Sequence, residues 1–116
     1  MKIAIPSVDD KGLDSFVEQH FGRAKYYTII ELKGKEIEKI EVIENPFIRH
    51  SPGEIPRFLK SLNVDVAITG GIGRRAVQFF EELGINIVSG VSGKISDVVK
   101  AFIEGKLESG EPGCPN

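Results

Sequence analysis

Two histidines, one cysteine and a cluster of glycines are the residues of this 116-residue chain whose types could do chemistry. His20 stands in His20-Phe21-Gly22-Arg23, just before a strand-like segment, where a neutral imidazole could reach a metal or a cluster. The same ring could equally be half-buried and bonded to a backbone carbonyl. His50 follows Arg49 in a loop and reads as a second ligand or as a solvated residue. Cys114 is the only thiol; thiolate is the soft donor that iron–sulfur chemistry prefers, but one cysteine cannot hold a cluster alone. The chain after Leu107 either swings back to a site, at about 3.3 Å per extended residue, or hangs free.

The stretch Asp65 to Ala76 reads as a strand, a glycine turn and a helix. Gly70, Gly71 and Gly73 are expected to take positive φ and to let the backbone approach a ligand, while the next helix offers unpaired N–H groups in its first turn. That is an anion or ligand cradle, or simply the way a strand reverses into its helix. Gly71 to Ala76 fits G-x-G-x-x-A, yet the following strand ends in Ser89-Gly90 with no acid for a ribose, and no Gly-Lys-Ser/Thr forms a P-loop. Arg23, Arg74 and Arg75 either make the region positive enough to receive an anion or are solvated.

Catalytic constellations are absent. There is no G-x-S-x-G, no H-E-x-x-H, no C-x-x-C, and no acid among Lys2 to Ile5 to begin a two-metal nuclease site. A nuclease reading therefore fails on chemistry.

These residues must be positioned by the elements between them. Lys2 to Ile5 predicts a buried strand stopped by Pro6, and residues 13 to 20 a helical turn with Leu13, Phe16 and Val17 on one side. Tyr26 to Leu32 and Glu36 to Glu44 predict a hairpin, whose second strand is charged as an edge strand should be. Ser51-Pro52-Gly53-Glu54 is a capping box with proline at the first helical position, opening a helix with Ile55, Phe58, Leu59 and Leu62 on its apolar face and Asn63 as its stop. Strand Val64 to Thr69, a helix burying Ala76, Val77, Phe80 and Leu83, strand Ile85 to Val88, and a helix with Ile95, Val98, Val99, Phe102 and Ile103 complete the chain. Right-handed crossovers then give an α/β fold: a five-stranded mixed sheet in the order 3-2-1-4-5, with helices on both faces, as in ribonuclease H. Both histidines and the glycine turn fall at one end of that sheet, outside the carboxyl ends of the parallel strands, where ligands bind.

Length and a 41% hydrophobic composition fit a single domain over residues 1–107 with a flexible tail at 108–116. A net charge of −2, a sequence pI near 5.7 and no Lys/Arg block argue against nucleic acid. One cysteine excludes an internal disulfide, no apolar run suits a signal peptide or a membrane span, and a cytoplasmic location is expected.

His20-Phe21-Gly22-Arg23-Ala24, Glu44-Asn45-Pro46, Val66 to Gly73 and Ala101 to Leu107, in this order and spacing, resemble the dinitrogenase iron–molybdenum cofactor biosynthesis family, with its NifX- and NafY-type carriers and the carboxy-terminal domain of NifB-type proteins. The resemblance covers about residues 1 to 107. It implies a ribonuclease H-like fold and non-enzymatic binding and transfer of an iron–sulfur or iron–molybdenum cluster between donor and acceptor proteins. It places the family's histidine ligand on His20, the rest of the motif on Phe21, Gly22 and Arg23, and the glycine turn on Gly70, Gly71 and Gly73; His50 and Cys114 are the further candidate ligands. Beyond Cys114 no cysteine is present to help hold iron. The alternative is a small-anion or nucleotide-binding regulatory module using Gly70 to Gly73 and Arg74.

Overall fold

The computed structural model describes residues 1–46 and 53–107. Five strands form one sheet: β1 (Lys2–Ser7), β2 (Tyr26–Lys33), β3 (Glu36–Glu44), β4 (Val66–Ile68) and β5 (Asn86–Val88), in the order β3-β2-β1-β4-β5. β2 runs antiparallel to β1 and β3, while β1, β4 and β5 are mutually parallel. This is the ribonuclease H-like order expected from right-handed crossovers.

Alternation along each strand divides the interior in two. Ile3, Ile5, Ile30, Leu32, Val66 and Ile68 face helix α3 (Ile95–Ile103). Ala4, Tyr27, Ile29 and Ala67 face α1 (Glu54–Ser61) and α2 (Arg74–Glu82), which bury Ile55, Leu59 and Phe80 against them. Helices therefore cover both faces; of the predicted apolar stripes Ile55, Leu59, Val77, Phe80, Ile95, Val98 and Val99 are buried, while Phe58, Leu62, Ala76, Leu83, Phe102 and Ile103 are half-buried.

Several boundaries differ from expectation. β1 continues through Pro6 to Ser7, because β4 is only three residues long and pairs with Ile3 and Ala4, so no β4 carbonyl requires the N–H that Pro6 lacks. The helical turn expected at 13–20 is reduced to a 3₁₀ turn at Gly12–Asp14. After it the chain is extended, bridging Ser7 to Val17 and Phe16 to Lys94. Main-chain bonds to neighbours replace helical ones: Val17 N–H donates to Gly93 O at 3.0 Å and Glu18 N–H to Pro6 O at 2.8 Å. Phe16, expected on an apolar side, is 53% exposed.

α1 starts at Glu54, not at Pro52, because its N-cap Gly53 has φ 93°, which no helical residue adopts. Ser51 and Pro52 of the predicted capping box lie outside the described residues, as do His50 and the expected tail at 108–116 with Cys114. Asn63, at φ 66°, ends the helix as anticipated. β3 is the edge strand, with a register shift opposite Glu31/Leu32 and its glutamates exposed.

Candidate functional site

Main-chain bonds, not side chains, bring the histidine turn to the glycine turn. His20 and Gly71 form a parallel bridge. Phe21 N–H donates to Gly71 O at 3.1 Å, and Gly71 N–H donates back to Gln19 O at 2.5 Å. Residues 19–21 thus extend the sheet beyond the carboxyl end of β4.

That closeness explains the glycines. A Cβ on Gly70 would lie 3.0 Å from Gln19 Cα, and one on Gly71 would lie 3.0 Å from Gln19 O, both fixed backbone. The expected positive φ is not found at Gly70, Gly71 or Gly73. Close approach of two chains requires the first two, and Gly73, at φ −76° and ψ 156°, is the N-cap of α2 with open space where a side chain would be.

Phe21 anchors the turn from below. Its ring is buried 5.3 Å from that of Tyr27 and 5.3 Å edge-on from that of Phe80. The Tyr27 hydroxyl donates to Phe21 O at 2.9 Å, and burial pushes that phenol well above its ordinary value, so it stays a donor. Arg23 N–H donates to His20 O at 3.0 Å and closes the 3₁₀ turn Phe21–Arg23.

Above this turn lies a cleft of about 560 Å³. His20, Phe21, Gly22 and Arg23 form one side of it, and Gly71 and Gly73 another. Gly70 is buried beneath Gln19 and does not line it. The remaining lining is largely apolar and went unrecognised in the sequence: Gly53, Ile55 and Pro56 from the start of α1, with Ile72 and Ala76. Ile55 reads as an ordinary core residue of its helix. Only Ile72, an apolar side chain displayed between glycines, carried a usable signal.

Electrostatically the cleft is positive. Among the described residues no acidic side chain lines it, and Arg23 does. α2 has no side-chain cap, and its first helical N–H to Gly73 O is that of Val77 at 3.1 Å, so the amides of its first turn are left for a ligand or water. His20 is exposed, and among the described residues its ring makes no hydrogen bond. Either ring nitrogen is free to bind.

Among the described residues no group of three or more His, Cys, Asp or Glu side chains converges to hold a metal ion. The described residues alone offer a bare ion no cage. A preassembled cluster, bringing its own bridging atoms, needs fewer protein donors, and one imidazole, a positive rim and apolar walls fit such a group. Of the three candidate ligands, the structure places His20 at the cleft; His50 and Cys114 lie outside the described residues. No helix among the described residues is long and apolar enough to cross a membrane.

Comparison with known proteins gives the family and the fold. The sequence model of the family described as dinitrogenase iron-molybdenum cofactor matches residues 1–105. PH0822, known from a crystal structure, is 46% identical and superposes with a TM-score of 0.88 over 96% of this chain and 97% of its own. A Thermotoga protein solved by NMR and provisionally described as a NifB protein is 31% identical, with a TM-score of 0.77 over 93% of this chain and 91% of its own. The uncharacterized protein MJ0580 of Methanocaldococcus jannaschii is 35% identical over 114 residues, which are 96% of this chain and 92% of that one.

Proposed function

Because this chain belongs to the dinitrogenase iron–molybdenum cofactor family, we propose that it is a carrier, not a catalyst, which takes an iron–sulfur or iron–molybdenum cluster from a donor protein into the cleft and releases it to an acceptor. The observation that supports this reading best is the joining of the His20 turn to the Gly71–Gly73 turn around one positive, partly apolar cleft. His20 supplies the protein's donor nitrogen. Arg23 and the free amides of α2 offset the negative charge of the cargo, and Ile55, Pro56 and Ile72 shield it from water. A tightly held metal centre has several ligands, each braced by a second hydrogen bond. Among the described residues one imidazole without a bracing hydrogen bond stands at the cleft, which suits a cargo that must leave.

An anaerobic titration with isolated iron–molybdenum cofactor and with a simpler iron–sulfur cluster tests this by visible absorption. Wild type is expected to retain cluster, His20→Ala to bind about tenfold or more weakly, and His50→Ala and Cys114→Ala to show whether those residues contribute. If wild type retains neither cluster, the carrier reading fails for both cargoes. Phosphate or nucleotide at the uncapped α2 terminus then becomes the ligand to test.

A further inference from the structure

The chain has five arginines, and each of the four among the described residues, Arg23, Arg57, Arg74 and Arg75, lines the cleft or adjoins a lining residue in sequence. Arg23 lines it. Arg57 follows the lining Pro56, and its guanidinium sits over the Phe79 ring, 5.6 Å from the centroid, at the junction of α1 and α2. Arg74 and Arg75 stand between the lining residues Gly73 and Ala76, and Arg75 precedes Phe79 by one turn, on the side of α2 that meets α1. All four are exposed. Among the described residues none of them forms an ion pair; the pairs there are Lys94 with Asp14 and Lys106 with Glu104.

Only Arg23 reaches the lining, so a cargo inside the cleft meets one of the four. The other three are exposed and adjoin lining residues, where a protein approaching the cleft would meet them. We infer that Arg57, Arg74 and Arg75 form a docking collar for the acidic rim of a protein partner. Guanidinium groups suit this role, since each can take a carboxylate in a two-point grip and together they steer the encounter. A long polyanion such as nucleic acid fits less well, because the chain is net negative and β3 presents Glu36, Glu38, Glu41 and Glu44. That the partner is a donor or acceptor of cluster rests on the carrier reading; the collar itself does not.

The test uses cargo-free full-length protein and a fluorescein-labelled oligoglutamate peptide, followed by anisotropy. Wild type is expected to bind it with an affinity that falls steeply with salt. Arg74→Glu/Arg75→Glu should weaken binding about tenfold, Arg74→Gln/Arg75→Gln by less, and Lys33→Glu/Lys35→Glu, at the hairpin turn away from the cleft, should leave it unchanged. Circular dichroism checks that each variant is folded, and the neutral variant suffices if the reversed one is not. Absence of wild-type binding, equal loss in the arginine and lysine variants, or tighter binding of a single-stranded oligonucleotide of equal charge would each overturn the proposal. Peptide binding in a protein that retains no cluster would instead sink the carrier reading and leave the collar standing.

Discussion

The hydroxyl of Tyr27, wholly buried in β2, donates to the main-chain carbonyl of Phe21 at 2.9 Å, so the sheet interior holds the turn that presents His20. Tyr27→Phe deletes that donor while keeping the ring against Phe21. A loss of about 1 kcal/mol is expected in urea denaturation, since the Phe21 carbonyl keeps a second, longer bond from Ala24 N–H at 3.4 Å. Cluster affinity should fall with it, through a looser His20 turn. Unchanged stability would mean that the hydroxyl bond is not formed in solution.

Alkaline pH tests the same residue. Burial raises the Tyr27 phenol above its unfolded value of about 10, so its contribution is fully present below that pH and is lost as pH rises above it. Wild type should lose up to about 1.4 kcal/mol per pH unit from this residue beyond about pH 10, and Tyr27→Phe should lack that component. Parallel stability curves for the two proteins across that range would refute the assignment.

Gly71 and Gly73 should respond in opposite ways to alanine. At Gly71 the new methyl meets Gln19 O at 3.0 Å, and the 19–21 rung must shift, at a cost of about 1–3 kcal/mol. At Gly73 it meets nothing within 4 Å, and stability should change by less than about 1 kcal/mol. Thermal melts of the two variants decide it, and equal losses would contradict the geometry described.

Gly53→Ala is expected to be costly for two independent reasons. Its φ of 93° is strained for any side chain, and the methyl would lie 2.8 Å from Arg57 Nη1 and 2.9 Å from Phe79 Cε1. Together these should destabilise by about 1–3 kcal/mol, read as a fall in the urea midpoint. A midpoint at the wild-type value would argue that α1 starts elsewhere in solution.

Arg23→Gln should lower cluster affinity and also flatten its dependence on salt, because among the described residues Arg23 is the one guanidinium in the cleft lining. Titrations at two ionic strengths separate this from a loss of shape, which would lower affinity equally at both.

Much of the scaffold could be read from residue patterns alone. The stripe of Ile55, Leu59 and Leu62, the alternation in Tyr26 to Leu32 and the handedness of crossovers suffice for the helices and the strand order. What stayed hidden depends on contacts between distant segments. Val17 and Glu18 have a helix-compatible sequence, yet their N–H groups donate to the carbonyls of Gly93 and Pro6. Gly70 and Gly71 looked like turn formers, whereas Gln19, far away in sequence, is the reason for them. The apolar wall of the cleft was concealed for a simpler reason: Ile55 and Ala76 begin helices, and a residue at a helix start looks the same whether it meets the interior or a ligand. The placement of Phe21, Gly22, Arg23, Gly71 and Gly73 beside His20 followed from strand order, since all belong to one end of the sheet.

The backbone bridge between His20 and Gly71 makes position 20 a socket. What holds it in place is amide and carbonyl, common to every residue with an N–H, and the imidazole has no bracing partner of its own among the described residues. The scaffold is therefore indifferent to which donor atom is plugged in. A thiol, a thioether or a carboxylate at position 20 would be displayed at the same cleft without refolding anything around it, so under the carrier proposal the affinity for cargo could be retuned, by nature or by an engineer, one side chain at a time.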